Sequence, residues 1–109
     1  MKHYKWEDIP KEEVRPGLLR QIISGENLTL GLHEIQSEFE HKPHSHPHEQ
    51  AVIILEGKIE YTVDGEKIVV KPGEVLIIPP NATHYASKVI GKSALNLDIW
   101  SPIRKDYLK

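Results

Sequence analysis

Apolar and polar residues alternate along most of this chain with the two-residue period of β-strands. Leu18 to Ile23 is a short apolar segment closed by Ser24-Gly25. Leu28, Leu30 and Leu32 alternate with Thr29, Gly31 and His33, which predicts a half-buried strand with Ile35 continuing the leucine face. Gln50 to Glu56 holds a continuous apolar run, and Gly57 predicts a turn after it. Ile59, Tyr61 and Val63 then alternate with Glu60 and Thr62. Asp64-Gly65, lying before Lys67 to Val70, predicts a tight hairpin, because both turn positions tolerate positive φ. Pro72-Gly73 marks another turn, and Glu74 to Ile78 another strand, stopped by Pro79-Pro80-Asn81. His84 to Ile90 and Ser93 to Trp100 are the last two strands, separated by Gly91. Pro102 ends the pattern, and Ile103 to Lys109 is expected to form one short helical turn. About eight short strands and no long helix predict an all-β, antiparallel sandwich or barrel.

Met1 to Gly17 departs from this pattern. Pro10, Pro16 and Gly17 among charges predict an extended N-terminal arm of the same domain, anchored by Trp6 and Ile9 on the body or on a second subunit. Residues 18–109 are then a single barrel domain. The balance of 14 basic and 16 acidic side chains, net charge -2, gives no electrostatic footprint for nucleic acid or an anionic membrane. With no cysteine, disulfides and thiolate metal sites are excluded. No apolar run approaches the roughly 20 residues needed to span a bilayer. The opening MKHYKWEDIP lacks the apolar stretch of a signal peptide. A soluble, cytoplasmic protein is expected. The apolar strand Ala51 to Leu55 and the arm around Trp6 offer surface for strand exchange or sheet packing, so a homodimer is expected.

The chemistry is concentrated in PHSHPHEQ, Pro43 to Gln50. Neutral imidazole is the commonest metal-binding side chain. Residues two apart on a strand face the same way, so His44 and His46 present two rings to one point, and Gln50 shares their parity. His84 follows the Pro79-Pro80-Asn81 turn, where an antiparallel neighbour would bring it opposite the pair. By itself an H-x-H pair fits a fortuitous histidine-rich loop equally well.

The longer stretches add a resemblance. PHSHPHEQAVIILEG resembles the first motif of the cupin family: H-x-H, a Glu or Gln four residues later, then a glycine. PGEVLIIPPNATHYA, Pro72 to Ala86, resembles the second, with P-G, a strand and P-x-x-x-H. The resemblance implies a double-stranded β-helix, the cupin jelly-roll barrel, with one divalent transition metal (Ni, Zn, Fe, Mn, Cu or Co) at its open end. It assigns the ligands to His44, His46, Gln50 and His84. His48 falls at a variable position and is read as a bystander, while His3, His33 and His41 match no ligand position and are read as surface residues. A neutral Gln50 with three neutral imidazoles would leave the ion its full charge, which favours polarising a carbonyl or hydroxyl over activating O₂.

Near the C-terminus, Asp98 and Trp100 share a strand face, and Arg104 lies beyond Pro102. An inward aspartate among apolar neighbours needs a partner or a task, and arginine suits bidentate carboxylate binding. Equally, Trp100 fits a core residue and Arg104 a solvated charge. HSHPHEQ, PNATH, the D-x-W-x-P-x-R of Asp98 to Arg104 and an early W-E-D (Trp6 to Asp8) together resemble small pectin-degradation-type cupins, which convert cyclic unsaturated uronates to linear keto forms. That implies Asp98 and Arg104 as catalytic residues, Trp100 and Arg104 as substrate-binding, and a small anionic sugar acid as the partner. Relatives often carry Phe where this chain has Trp100. Two alternatives stand beside this reading. One is a metal-dependent dioxygenase; the other is a non-catalytic small-molecule binder, which would need a partner protein to act as a sensor.

Overall fold

The computed structural model describes residues 1–108, and Lys109, the last residue of the expected C-terminal turn and of the expected barrel domain, lies outside them. The described residues form seven strands: β1 (Glu12–Arg15), β2 (Leu18–Ser24), β3 (Thr29–Gln36), β4 (Glu49–Val63), β5 (Glu66–Val70), β6 (Val75–Ile78) and β7 (His84–Ser101). Short 3-10 turns span Trp6–Asp8 and Lys105–Tyr107. Every pairing is antiparallel, in the order β1-β2-β3-β7-β4-β5 with β6 on β4. Among the described residues no helix is long and apolar enough to cross a membrane.

Two expected breaks are absent and one strand, β1, forms within the expected arm, which is why there are seven strands rather than eight. β4 runs through Gly57 and β7 through Gly91, and the two pair from Glu49↔Ser101 to Val63↔His84. Gly57 has φ +80°, and a Cβ there would lie 2.7 Å from the Ser93 carbonyl oxygen. The ladder shifts register around it, between Ile54 and Lys58. It is a bulge that bends the strand rather than a turn that ends it. The expected hairpin is present: Asp64 and Gly65 take φ 47° and 83° between the paired Val63 and Glu66.

The two-residue period of β3 is as expected, but its inward face is the opposite one, and Ile35, three residues beyond Leu32, lies on that inward face rather than with the leucines. Thr29, Gly31, His33 and Ile35 are buried, while Leu30 and Leu32 lie half-exposed outside. In the ladder Leu30 pairs with Ile99 and Leu32 with Leu97, whose other neighbours on β4 are Ala51 and Ile53. Apolar residues therefore line the outer face, and polar ones face a cavity. The sheet closes on a core of Ile35, Val52, Ile54, Ile59, Val70, Ile78 and Val89. Full burial of such side chains contributes about 1.5–3 kcal/mol each, and this stabilisation offsets a polar end lined by Thr29, His33, Gln50, Asn96 and Asp98.

The stretch Ala51–Leu55 is no free edge, because Gln50–Ile53 pair with β6 on one side and β7 on the other. The N-terminal segment is tied into the sheet: β1 pairs with β2, and the buried Gln21 Nε2 donates to the carbonyls of Trp6 and Ile9, each at 2.7 Å.

Candidate functional site

His44 stands in an isolated bridge to β7. Its backbone exchanges hydrogen bonds of 3.0 and 2.9 Å with His84. Asn81, at φ 68° in the Pro79-Pro80-Asn81 turn, donates its N–H to the His46 carbonyl at 2.8 Å. These contacts bring His84 against the pair, as the antiparallel expectation required. Ring centroids lie 4.3 Å apart for His44–His84, 4.9 Å for His46–His84 and 5.8 Å for His44–His46. One nitrogen from each ring lies within 4.8 Å of the others.

The other nitrogens fix which atoms converge. Nδ1 of His44, His46 and His84 faces the carbonyl oxygens of Lys42, His48 and Ala82 at 3.3, 3.2 and 2.9 Å. Each Nδ1–H donates outward, which leaves Nε2 as a lone pair pointing in, an arrangement usual for metal-ligating histidines. His84 Nε2 is buried with no partner. His46 Nε2 lies 3.0 Å from Gln50 Oε1, itself an acceptor. A neutral imidazole carries one N–H, so two lone pairs oppose each other here, a contact that a shared cation relieves. Burial pushes His84 down to about 4, with the nearby His44 and His46 adding to the effect. Burial, then the Arg104 charge, also holds His46 below its usual range. Both rings are therefore neutral near pH 7, as ligands must be. The three histidines can hold a metal ion.

Gln50 links this cluster to a second group. Its Nε2 donates to Asp98 Oδ1 at 3.0 Å, and His33 Nδ1 lies 3.0 Å from Asp98 Oδ2. Both carboxylate oxygens thus have partners, which answers the cost of burying Asp98. The expectation that His33 is a surface residue fails: it is only 8% exposed. Its parity on β3 points it inward, and misreading that face is what hid it. His3 is exposed, His41 is half-buried against Phe39, and His48 stands outside the cluster, with Nε2 3.3 Å from the Ile103 carbonyl oxygen.

All of these groups except His48 and His3 line one cavity of about 410 Å³. Trp100 forms part of its wall, with its ring so close over Gly31 that an added Cβ would sit 2.7 Å from it. Arg104 lies 5.0 Å from the Trp100 ring centre and 4.1 Å from that of Tyr107. Its Nε and Nη2 donate to the Asp106 carboxylate at 2.9 and 2.6 Å. Burial opposes the Arg104 charge, but the bond to Asp106 and the contact with Tyr107 outweigh it and raise its pKa. Arg20, whose guanidinium is 4.2 Å from the Tyr107 ring, also lines the cavity, as do Asp106 and Tyr107. None of these last three was anticipated. Arg20 was discernible as half of the polar Arg20-Gln21 break in an apolar strand, whereas Asp106 and Tyr107 carry no sequence signal.

A family model for the cupin domain matches residues 31–100. The chain belongs to the cupin family. It is 30% identical over 105 residues to the pectin degradation protein KdgF of Dickeya dadantii, with 94% of each chain covered. KdgF from Halomonas sp. superposes with a TM-score of 0.90 at 25% identity, covering 99% of both chains. An RmlC-like cupin from Shewanella frigidimarina gives 0.87 at 27% identity, covering 99% of this chain and 97% of that one. The expected jelly-roll barrel is thus the fold of this cupin.

Proposed function

We propose that this cupin is a metal-dependent enzyme that opens a cyclic unsaturated uronate, or a related keto sugar acid, to its linear keto form. One observation carries the reading: three convergent imidazoles, a buried carboxylate and a buried arginine share one cavity. Its likeness to KdgF, named for pectin degradation, supports the substrate class.

The ion would be held by His44, His46 and His84, with Gln50 Oε1 as the fourth ligand. When bound, a divalent ion there supplies Lewis acidity toward a carbonyl or hydroxyl oxygen. The opposed lone pairs of His46 and Gln50 favour Gln50 as a ligand, because a cation between them turns repulsion into attraction. Gln50 cannot be reversed without losing its donation to Asp98. Asp98 belongs to the machinery that handles the proton. Arg104 takes the substrate carboxylate, exchanging it for Asp106, whose side chain is 55% exposed against 9% for Arg104. The exchange leaves the buried guanidinium paired with a carboxylate throughout, so its charge is never left uncompensated. Trp100 is the flat wall on which a sugar ring rests.

The partner of the chain is a second copy. Leu32, Leu97, Ile53 and Val75 form one row across the outer face, and Leu30, Ile99, Ala51 and Ile77 another. Val75 is 61% and Ile77 55% exposed. This face, rather than strand exchange through Ala51–Leu55, is the proposed homodimer contact.

The test is a screen of unsaturated uronates released from pectin and alginate, with protein loaded separately with Ni, Zn, Fe, Mn, Cu and Co. Loss of the ultraviolet absorbance of the conjugated double bond is expected. If no uronate is consumed while the Fe(II)-loaded protein takes up oxygen, the dioxygenase reading replaces this one.

A further inference from the structure

His33 has no place in the proposal above, yet its ring is more tightly specified than most. It lies on the inward face of β3, with its Cε1 3.0 Å from where a Gly31 Cβ would stand. The Trp100 ring meets it edge-on, centroids 6.1 Å apart. Nδ1 is buried and lies 3.0 Å from Asp98 Oδ2, an ion-pair distance without hydrogen-bond alignment, and it has no other polar partner. Facing a carboxylate, Nδ1 carries the hydrogen, and the neutral ring then has its lone pair on Nε2. Nε2 has no hydrogen-bond partner among the described residues, and it is not among the sealed atoms. The accessible edge of the ring belongs to the cavity wall. Asp98, by contrast, offers the cavity little: its Oδ1 accepts from Gln50 and its Oδ2 stands 3.0 Å from His33 Nδ1.

We infer that Asp98 and His33 work as one proton-handling unit, in which Asp98 fixes the tautomer and His33 Nε2 is the catalytic atom that meets the substrate. This inference rests on the uronate reading for its substrate. A carboxylate holding Nδ1–H of a histidine whose Nε2 faces a reacting hydroxyl is a recurrent arrangement for general-base catalysis.

The step balances without any co-reactant. Nε2 takes the proton of the anomeric hydroxyl while the bond from the anomeric carbon to the ring oxygen breaks. The aldehyde forms, and the bond's electron pair leaves on the ring oxygen as an enolate. The imidazolium, opposite the Asp98 carboxylate, then returns the proton to the far carbon of the double bond, and the enolate becomes the ketone. Substrate and product are isomers.

Two histidine variants separate catalysis from support. His33→Asn keeps an amide N–H near the Nδ1 position, and so a donor to Asp98, but has no Nε2. His33→Ala removes both. Both variants are expected to bind metal as the wild type does, while kcat falls at least about 100-fold, within the usual range for a lost acid–base group, and KM stays nearly constant. Added imidazole should restore part of the His33→Ala rate. If His33→Asn turns over within threefold of the wild type, His33 only props Asp98 and the inference is overturned. Nitrogen-15 spectra of histidine-labelled protein, with His33 assigned by its loss in His33→Asn, give an answer that needs no substrate. The hydrogen is expected on Nδ1 and the lone pair on Nε2. The reverse tautomer in the wild type overturns the inference even if the uronate is turned over. Wild-type protein that consumes no uronate refutes the substrate reading instead, and the tautomer still decides the dyad.

Discussion

His46 Nε2 and Gln50 Oε1 face each other at 3.0 Å with no hydrogen between them once Nδ1 of His46 donates to the His48 carbonyl. Buried His84 Nε2 stands beside them without a partner. An unpartnered buried polar atom costs about 1–3 kcal/mol, so the metal-free pocket is destabilised at two points that one cation relieves. Chelation is therefore expected to lower the melting temperature, and saturating divalent metal to raise it. At a free concentration of 100 times Kd the gain is about 2.7 kcal/mol, on the order of 10 °C or more for a domain of this size. His84→Ala should bind less than a tenth of the wild-type metal in elemental analysis. Unchanged stoichiometry in that variant would remove the histidine cluster from the metal site.

The same burial sets a pH dependence for the metal-free protein. Burial pushes the folded His84 down to about 4, against an ordinary imidazole value of 6.5. Between those values the unfolded chain binds a proton that the folded one refuses, so stability rises with pH across the window and is lost as pH falls through it. His46 shifts in the same direction. Denaturant titrations of metal-free protein should give a midpoint that declines from pH 7 to pH 4. His84→Gln is expected to flatten that decline, and a profile identical to the wild type would contradict the assignment.

Gln50 is expected to resist replacement by Glu for a reason on the Asp98 side. Its Nε2 donates to Asp98 Oδ1 at 3.0 Å. In Gln50→Glu, two carboxylates would meet there and repel. Metal is expected to stay bound, since a carboxylate is also a ligand, while kcat falls at least about tenfold, a loss of roughly 1.4 kcal/mol in the barrier. Asp98→Asn should likewise keep the metal and lose turnover. Full activity in Asp98→Asn would end any role for Asp98 in proton transfer.

The strands, the hairpin at Asp64-Gly65 and the site histidines were legible because each rests on local chemistry: period, turn residues, or an H-x-H pair joined to a second motif. The facing of β3 was not. Leu28, Leu30 and Leu32 read as a core stripe because burial is the ordinary fate of leucine. Here the interior at that level is a polar cavity, and the leucines lie on the outer face. Gly57 and Gly91 read as turns because a bulge and a turn ask the same positive φ of glycine; only the pairing of β4 with β7 separates them. The fit of Trp100 over Gly31 joins residues paired with each other's neighbours on β3 and β7, and no single-chain pattern carries it.

Arg104 and Asp106 give a prediction in binding rather than chemistry. The guanidinium is buried and the carboxylate is more than half exposed, so Asp106 is the member that leaves when a substrate carboxylate arrives. Asp106→Asn removes the competitor, and KM is expected to fall by about tenfold, the equivalent of the roughly 1.5 kcal/mol at the low end of what a hydrogen bond to a charged group is worth. Arg104→Lys loses the planar fork and should raise KM with little change in metal content. Steady-state kinetics on the responding uronate decide both, and an Arg104→Lys enzyme with wild-type KM would exclude Arg104 from the carboxylate site.

The outer face carries the last prediction. Val75 and Ile77 alternate on β6 with the buried Ile78 and half-buried Leu76, so their exposure is not a fault of the core. Each continues a row of aliphatic side chains that crosses β4, β7 and β3. Contiguous apolar surface of this kind on a soluble domain marks a contact with another protein, and a second copy supplies the same rows by symmetry. Light scattering should return twice the 12.5 kDa of one chain. The double variant Val75→Glu, Ile77→Glu places charges on an already exposed surface, so the barrel should fold and bind metal while the mass falls to that of a monomer. A wild-type protein that scatters as a clean monomer at high concentration would refute the dimer.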